Sequence, residues 1–193
     1  MLRNYLTIAW RNLVKSKAFS FINILGLATG MAVAMLIGLW IHDEVSINTY
    51  HKNYKTLCQI IVHQTTNGQR TTQRGSPLSM GEELKTKFSD FKAVAMCDWG
   101  GRHSLSYGDK KVSKDGYFIG EESISMFSLD VLNGNKNPLH DPYSIVLTDE
   151  TANVLFGHEN PIGKILKMDN AYDLKVTAVV AKQPKNATIR WEW

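Results

Sequence analysis

Hydrophobic and polar positions divide the chain into an apolar stretch near its start and a longer region of short, mixed patterns. Residues 18–41 carry no charge, and Ser20, Asn23 and Thr29 are the only polar interruptions. At about 1.5 Å per residue such a run forms a helix of roughly 36 Å, longer than a hydrocarbon core of about 30 Å. The pattern therefore predicts one transmembrane helix over residues 18–41. The apolar core of a cleaved signal peptide is shorter, about 7–15 residues.

A different pattern precedes this apolar run. In residues 1–17 apolar side chains recur every three or four positions, and polar and basic residues occupy the other faces. The spacing predicts a short amphipathic helix that lies in the inner membrane interface. A simple polar leader is the alternative. The apolar stripe comprises Leu2, Tyr5, Leu6, Ala9, Leu13 and Val14, with Trp10 at its border.

Small residues recur at every fourth position within the apolar run. They are Gly26, Gly30, Ala34 and Gly38. In a membrane such a row forms a flat strip that lets another helix approach closely. Glycine and alanine are common in transmembrane helices, so chance is the alternative explanation. Four in register lead us to predict a helix-packing face.

Residues 42–193 alternate between strand-like runs and short helical patterns, without a regular strand–helix–strand rhythm. The fold class predicted for this region is therefore α+β. Strands are predicted at residues 57–66, 92–99, 128–132 and 144–148, with hairpins across Gly108–Asp109 and across residues 169–172. Helices are predicted from Ser76–Pro77, over residues 121–127, and from a Thr148 cap to Gly157, with loops at residues 67–75 and 133–142.

The last residues of the sequence, KQPKNATIRWEW, end on Trp191 and Trp193 directly after a predicted strand. Chain termini are usually polar and poorly ordered. We therefore expect the domain of residues 42–193 to be incomplete at its C-terminus, as a truncation within a longer protein.

The charge distribution favours a membrane orientation over a nucleic-acid partner. The whole excess of 22 Lys and Arg over 18 Asp and Glu lies in four residues that precede any acidic residue: Arg3, Arg11, Lys15 and Lys17. A nucleic-acid partner needs a basic face on the folded domain. By the positive-inside rule, residues 1–17 are predicted to be cytoplasmic and residues 42–193 extracytoplasmic. The predicted architecture is an α+β extracytoplasmic domain preceded by one transmembrane α-helix.

No catalytic, cofactor or metal motif is visible, and we predict a non-enzymatic protein. The six histidines form no HExxH or i,i+4 pair, and there is no CxxC or GxSxG. The string GHENPIGK is not a phosphate loop, because five residues separate Gly157 from Gly163 and Ile165 stands where Ser or Thr is needed. Cys58 and Cys97 lie in strand-like apolar runs, which favours two buried thiols. A disulfide is the alternative in an oxidising compartment.

Three stretches resemble the MacB/FtsX-type ABC transporter permeases. The N-terminal stretch MLRNYLTIAWRNLVKSKAFSFINILGLATGMAVAMLIGLWIHDE resembles their first membrane segment. SPLSMGEELKTKFSDFKAVAM and SIVLTDETANVLFGHENPIGKILKMDNAYDLKVTAVVAKQPKNATI are similar to parts of their extracytoplasmic core domain. One departure is Asn48, where relatives often carry an acidic residue.

The resemblance implies a permease subunit of the bacterial inner membrane, of which this chain would be the N-terminal part. A separate cytoplasmic ABC ATPase would supply ATP-driven motion, which the first helix passes to the extracytoplasmic domain for export or extraction of a substrate. Further permease helices or a second permease copy would be partners, together with the lipid bilayer. The alternative is a stand-alone single-pass membrane protein whose extracytoplasmic domain binds a ligand or partner.

Overall fold

The chain forms two compact units, Met1–Ile47 and Asn48–Trp193. They are seen in a computed structural model that describes residues 2–193, without the side chains of Leu2 and Leu6. Both residues belong to the predicted apolar stripe, so the side chains at these two positions of the stripe are not described.

The first unit consists of two helices, α1 (Leu2–Lys15) and α2 (Lys17–Ser46). Ser16 separates them with a non-helical backbone, φ −105° and ψ 56°. Within residues 2–193, α2 is the one helix that is long and apolar enough to cross a membrane. It continues past the apolar run through the polar residues up to Ser46. Ile47 then ends the helix with an extended backbone ψ of 129°.

The second unit contains eight strands and three short helices. In chain order they are β1 (Val62–Thr66), β2 (Gln69–Gln73), α3 (Ser79–Lys87), β3 (Gly101–Tyr107), β4 (Lys110–Gly116), α4 (Ser123–Met126), β5 (Val131–Gly134), β6 (Ser144–Thr148), α5 (Asp149–Phe156), β7 (Ile165–Met168) and β8 (Tyr172–Val180). Strands β1 and β2 form a separate hairpin, and the other six form one sheet. The α+β class predicted from the sequence is confirmed.

Strand β8 is the centre of the six-stranded sheet. Along one edge it pairs antiparallel with β7 and then with β5, and along the other edge it pairs parallel with β6. Beyond β7 the sheet continues through β3 to β4. Strands β4 and β6 are therefore the two ends of the path β4-β3-β7-β8-β6.

The main hydrophobic core lies between this sheet and α5. Its largest fully buried side chains include Leu105, Leu147, Leu155, Leu166 and Met168. Strand β6 is buried on both faces, because Ile145 and Leu147 enter this core while Val146 enters a second cluster beside α4. A strand covered on both faces reads as a continuous apolar run, and SIVL is such a run.

Several local predictions are confirmed. The hairpin across Gly108–Asp109 joins β3 to β4, and the hairpin across residues 169–172 joins β7 to β8. The Thr148 hydroxyl oxygen caps α5 by accepting a hydrogen bond from the Thr151 backbone N–H at 3.4 Å. Gly157 ends α5 with a φ of 64°, a conformation that glycine adopts without steric cost.

The predicted loop at residues 67–75 is wrong, because it contains β2. Asn67 and Gly68 both have positive φ, 53° and 77°, as a two-residue turn between twisted strands requires. Nearly every side chain in β1 and β2 is exposed and polar. The hairpin therefore lacks the apolar alternation by which strands are predicted, and only its turn residues reveal it.

Other boundaries also differ from prediction. The predicted strand at residues 57–66 is ordered as a strand only from Val62. The predicted strand at residues 92–99 is reduced to one bridge, between Cys97 and Ile119. The helix predicted from Ser76–Pro77 begins at Ser79, and Leu78 stands at its cap without a side-chain hydrogen bond. The helix predicted at residues 121–127 is shorter, and the strand predicted at residues 128–132 is shifted to Val131–Gly134.

The interpretation of Cys58 and Cys97 as buried thiols is wrong. Both are exposed, and both are free, so the alternative disulfide is not formed either. Cys58 lies in the irregular residues before β1, and Cys97 lies where a continuous strand was expected. Without a strand, neither side chain is directed into a core.

Candidate functional site at the start of the domain

The second unit begins at Asn48, two residues after the end of α2. Asn48 has a φ of 60°, in the left-handed region that asparagine tolerates better than most residues. Its backbone N–H donates to the Asn186 carbonyl at 2.9 Å. Its side-chain amide donates to the Thr188 hydroxyl at 2.8 Å and accepts from the Thr188 backbone N–H at 2.9 Å. Three hydrogen bonds therefore fix the first residue of the domain to residues 186–188.

Residues 48–57, here called the initial segment, are also fixed to α4. The His51 side chain is 7% exposed, and its Nδ1 lies 2.5 Å from the Phe127 carbonyl oxygen. Because a carbonyl only accepts, this nitrogen carries the proton. The Asn53 side-chain amide donates to the Ser125 and Met126 carbonyls, both at 3.1 Å. These are terminal carbonyls of a helix, which have no partner within it.

Residues 186–193 are here called the strap. The strap begins beside the initial segment and ends against β4 and β6, the two end strands of the sheet. Ala187, Trp191 and Trp193 are all less than 10% exposed. The Phe127 ring contacts both His51 and Trp191, with centroid separations of 5.6 and 5.7 Å. One aromatic side chain therefore joins the initial segment to the strap.

Glu192 bridges the two end strands of the sheet. Its backbone N–H donates to the Asp115 carbonyl of β4 at 2.8 Å, and its carbonyl accepts from the Thr148 N–H of β6 at 3.2 Å. Its carboxylate contacts Lys114 Nζ at 2.7 Å and accepts from the Asp115 N–H at 3.1 Å. The strap thereby connects the β4 and β6 ends of the sheet through main-chain hydrogen bonds.

Trp193 anchors the strap in the main core. Its indole packs on Gly116 and lies edge-on to His103 and Phe118, each at 5.3 Å between centroids. Its Nε1–H donates to the Lys114 carbonyl at 3.2 Å, so the polar atom of this buried side chain is satisfied.

An open cleft of about 490 Å³ lies beside the strap, and charged groups of both signs line it, among them Asp115, Glu150, Lys182 and Arg190. The Lys182–Glu150 ion pair at its edge lowers the pKa of the Glu150 carboxyl. Across residues 2–193 no group of three or more His, Cys, Asp and Glu side chains is placed to hold a metal ion.

The site residues predicted from sequence all lie in the first unit, and none of them takes part in these contacts. Gly26, Gly30, Ala34 and Gly38 are exposed on α2, and a Cβ built on each of the three glycines meets no atom within 4 Å. The four basic residues, Arg3, Arg11, Lys15 and Lys17, are exposed on α1 and at the start of α2.

Sequence reasoning missed Asn48, His51 and the strap. Asn48 was noted only as a departure from related sequences. An asparagine directly after a helix, where a left-handed residue is common, was the available signal. The residue type of Trp191 and Trp193 was only a weak signal of burial, since Trp10, Trp40 and Trp99 are 66–77% exposed in the same chain.

The chain combines one helix that is long and apolar enough to cross a membrane with an α+β domain, the architecture of a membrane protein. Residues 20–190 match the sequence family described as MacB-like periplasmic core domain, and the chain belongs to that family. This confirms the resemblance drawn from the quoted motifs. A search of curated proteins found no match.

Two solved structures share the fold at low sequence identity, and a third is similar at a lower TM-score. The periplasmic region of MacB from Actinobacillus actinomycetemcomitans is 23% identical with a TM-score of 0.50, and the match covers 64% of this chain and 59% of that one. A domain of a putative permease protein from Porphyromonas gingivalis is 15% identical with a TM-score of 0.50, covering 58% and 53%. The extracellular domain of the noncanonic ABC-type transporter YknZ from Gram-positive bacteria is 18% identical with a TM-score of 0.41, covering 46% and 49%. The chain thus matches between 49% and 59% of the lengths of these structures.

Proposed function

We propose that this chain is a permease-type component of an ABC transporter. In this proposal α2 crosses the cytoplasmic membrane, and a separate cytoplasmic ATPase drives motion that α2 passes to the extracytoplasmic domain for export or extraction of a substrate. The match of residues 20–190 to the MacB-like periplasmic core domain carries the permease assignment, and the fixation of Asn48 by three hydrogen bonds to residues 186–188 supports the coupling.

No flexible linker lies between α2 and Asn48. Only Ile47 separates the last residue of α2 from Asn48. A displacement that reaches Asn48 is passed to the strap, and Glu192 passes it to β4 and β6 through backbone hydrogen bonds. A flexible linker would absorb such a displacement, whereas short hydrogen-bonded connections between packed elements transmit it.

The coupling is tested by inserting flexible residues into this chain, in the transporter assembled with its ATPase. A flexible Gly-Ser-Gly-Ser insertion between Ile47 and Asn48 is compared with the same insertion between Asn67 and Gly68, at the exposed turn of the β1–β2 hairpin. ATP-dependent change in hydrogen exchange over residues 186–193 is the readout. We expect the first insertion to abolish the change and the second to preserve it. An unaltered change after the first insertion would refute coupling through Asn48.

The proposed orientation places the N-terminus in the cytoplasm and residues 42–193 outside, in accordance with the four basic residues before α2. The exposed thiols of Cys58 and Cys97 provide a direct test. In spheroplasts a membrane-impermeant maleimide is expected to label them without permeabilisation. A Thr7→Cys variant that lacks both native cysteines is expected to react only after permeabilisation. The reverse pattern would overturn the orientation.

We further propose that Gly26, Gly30, Ala34 and Gly38 form the face of α2 on which other permease helices, or a second permease copy, pack. The open space beside the glycines supports this, because a neighbouring backbone can approach there closely. Gly30→Leu with Ala34→Leu is expected to weaken assembly with the rest of the transporter. Ala28→Leu with Ala32→Leu, on the opposite face, should leave it intact.

Assembly is measured by co-purification of the ATPase with the membrane subunit. Equal recovery from both double variants would contradict the packing face. Failure of any ATPase to co-purify with the unaltered protein would favour the stand-alone single-pass alternative.

A further inference from the structure

Helix α1 has one apolar face bordered by two aromatic side chains. Tyr5 and Trp10 are five residues apart, which places them about 140° apart around the helix at 100° per residue. Ala9 and Leu13 lie within the arc between them. Arg11 and Lys15 lie on the opposite face, and Arg3 lies beside Trp10 at the border.

This apolar face has no partner among the described residues of the chain. Tyr5 is 72% exposed, Trp10 is 70% exposed and Leu13 is 43% exposed. A helix with a contiguous apolar face is not stable in water without a covering surface. Something outside the described chain must therefore cover α1.

The charges around α1 indicate the nature of that surface. Arg3, Arg11, Lys15 and Lys17 precede every acidic residue of the sequence, the first of which is Asp43. A complementary surface must be anionic as well as able to accept apolar groups. Tyrosine and tryptophan at the borders of an apolar arc are typical of helices that lie at the lipid headgroup level.

The break at Ser16 gives α1 a direction of its own. The non-helical backbone there means that α1 is not a straight extension of α2. A spanning helix that continued unbroken would carry α1 away from the bilayer, whereas a break directly before it permits α1 to lie along the surface.

We propose that α1 lies on the cytoplasmic leaflet and binds anionic phospholipid headgroups through its basic residues. The inference rests on α2 spanning the membrane and not on the role proposed for the extracytoplasmic domain. A protein partner such as the ATPase is the competing occupant, and the test below separates the two.

The test compares two cysteine positions on opposite faces of α1 in the full chain. Ala9→Cys lies within the apolar arc, and Thr7→Cys lies about 160° away at nearly the same depth along the helix. Both positions are exposed in the structure. Each variant lacks Cys58 and Cys97 and is placed in lipid nanodiscs, where a water-soluble maleimide reaches both sides.

In nanodiscs of phosphatidylcholine with phosphatidylglycerol, the cysteine at position 9 is expected to react at least tenfold more slowly than the cysteine at position 7. In phosphatidylcholine alone or at high salt, the difference is expected to shrink, because screening weakens attraction to a charged surface. Each basic residue near an anionic membrane changes binding about fivefold. The triple variant R3Q/R11Q/K15Q should therefore weaken docking of α1 by about a hundredfold.

A matched triple variant, K52Q/K55Q/R70Q, removes the same charge from exposed positions of the second unit. It is expected to preserve the slow reaction at position 9. Equal reaction rates at positions 7 and 9 in anionic nanodiscs would overturn the proposal and leave the apolar face to a protein partner. The cysteine at position 9 could also react as slowly in uncharged lipid, and in the R3Q/R11Q/K15Q variant, as it does in anionic nanodiscs. That result would overturn the role of anionic headgroups.

Discussion

Replacing Gly116 by alanine provides a direct test of the strap. A Cβ at position 116 would overlap Cε2 and Cδ2 of the Trp193 indole. Gly116 lies at the end of β4 and is buried, and the indole is fixed by its hydrogen bond to the Lys114 carbonyl. The added methyl group therefore cannot be accommodated unless Trp193 moves.

The expected loss in the free energy of unfolding follows from the packing contacts that Trp193 loses. Displacing a residue by overpacking costs about 1–3 kcal/mol. Full loss of a buried tryptophan, as in Trp193→Ala, costs about 3–5 kcal/mol. When the indole is already absent, Gly116→Ala should be neutral or stabilising by about 0.5–1 kcal/mol, because alanine loses less backbone entropy in a strand than glycine. The double variant is therefore expected to be no less stable than Trp193→Ala alone.

Pulse proteolysis across a urea series measures the free energy of unfolding without relying on tryptophan fluorescence. Gly101→Ala is the matched control, since Gly101 is the cross-strand partner of Gly116. A Cβ there lies 3.2 Å from His103 Nε2, so the ring has to shift by only a few tenths of an ångström, far less than the indole at Gly116. Additive effects of Gly116→Ala and Trp193→Ala would refute the contact.

Three further outcomes are expected. Thr148→Ala should destabilise the domain by about 1 kcal/mol through loss of the α5 cap, measured by the same proteolysis. The hydrogen bond from His103 lowers the pKa of the Asp169 carboxyl. Asp169 therefore stabilises the fold above about pH 4, and the advantage of the native protein over Asp169→Asn should disappear as the pH falls through the folded pKa. Although Cys97 is exposed as a residue, partial desolvation of its thiol, together with the neighbouring Asp98 carboxylate, raises the pKa of the thiol to about 11. In a Cys58→Ser variant, its alkylation rate followed by mass spectrometry should therefore still be rising at pH 10, and a plateau below pH 9 would contradict this.

Local patterns predicted the elements whose signals are contained in a few neighbouring residues. The cap and end of α5, the two hairpins of the main sheet and the strand SIVL follow from residue type and spacing. Of the β1–β2 hairpin, β1 lies inside the strand predicted at residues 57–66, whereas β2 escaped prediction because its side chains are polar and exposed. Residues 92–99 have strand propensity, but there the Asp98 carboxylate accepts from the Gly100 backbone N–H in a local turn and from the Phe118 backbone N–H, 20 positions away.

The candidate site depended on contacts between residues far apart in the sequence. Asn48 bonds residues 186–188, about 140 positions away, and no single-sequence pattern indicates such a pairing. The strap illustrates the same limit. Nothing in the residue types of its two tryptophans indicated that Glu192 between them would connect β4 to β6.

The sequence by itself determined the long apolar helix, the concentration of positive charge before it, the amphipathic pattern of α1 and the α+β class of the domain. These depend on composition and periodicity, which are local properties of the chain. Only the tertiary structure decided that β8 lies at the centre of the sheet, that the strap bridges its two ends, and that Asn48 is held at the start of the domain. The physical reason is that these features arise from backbone hydrogen bonds and aromatic packing between distant segments, whose partners are chosen when the whole core forms.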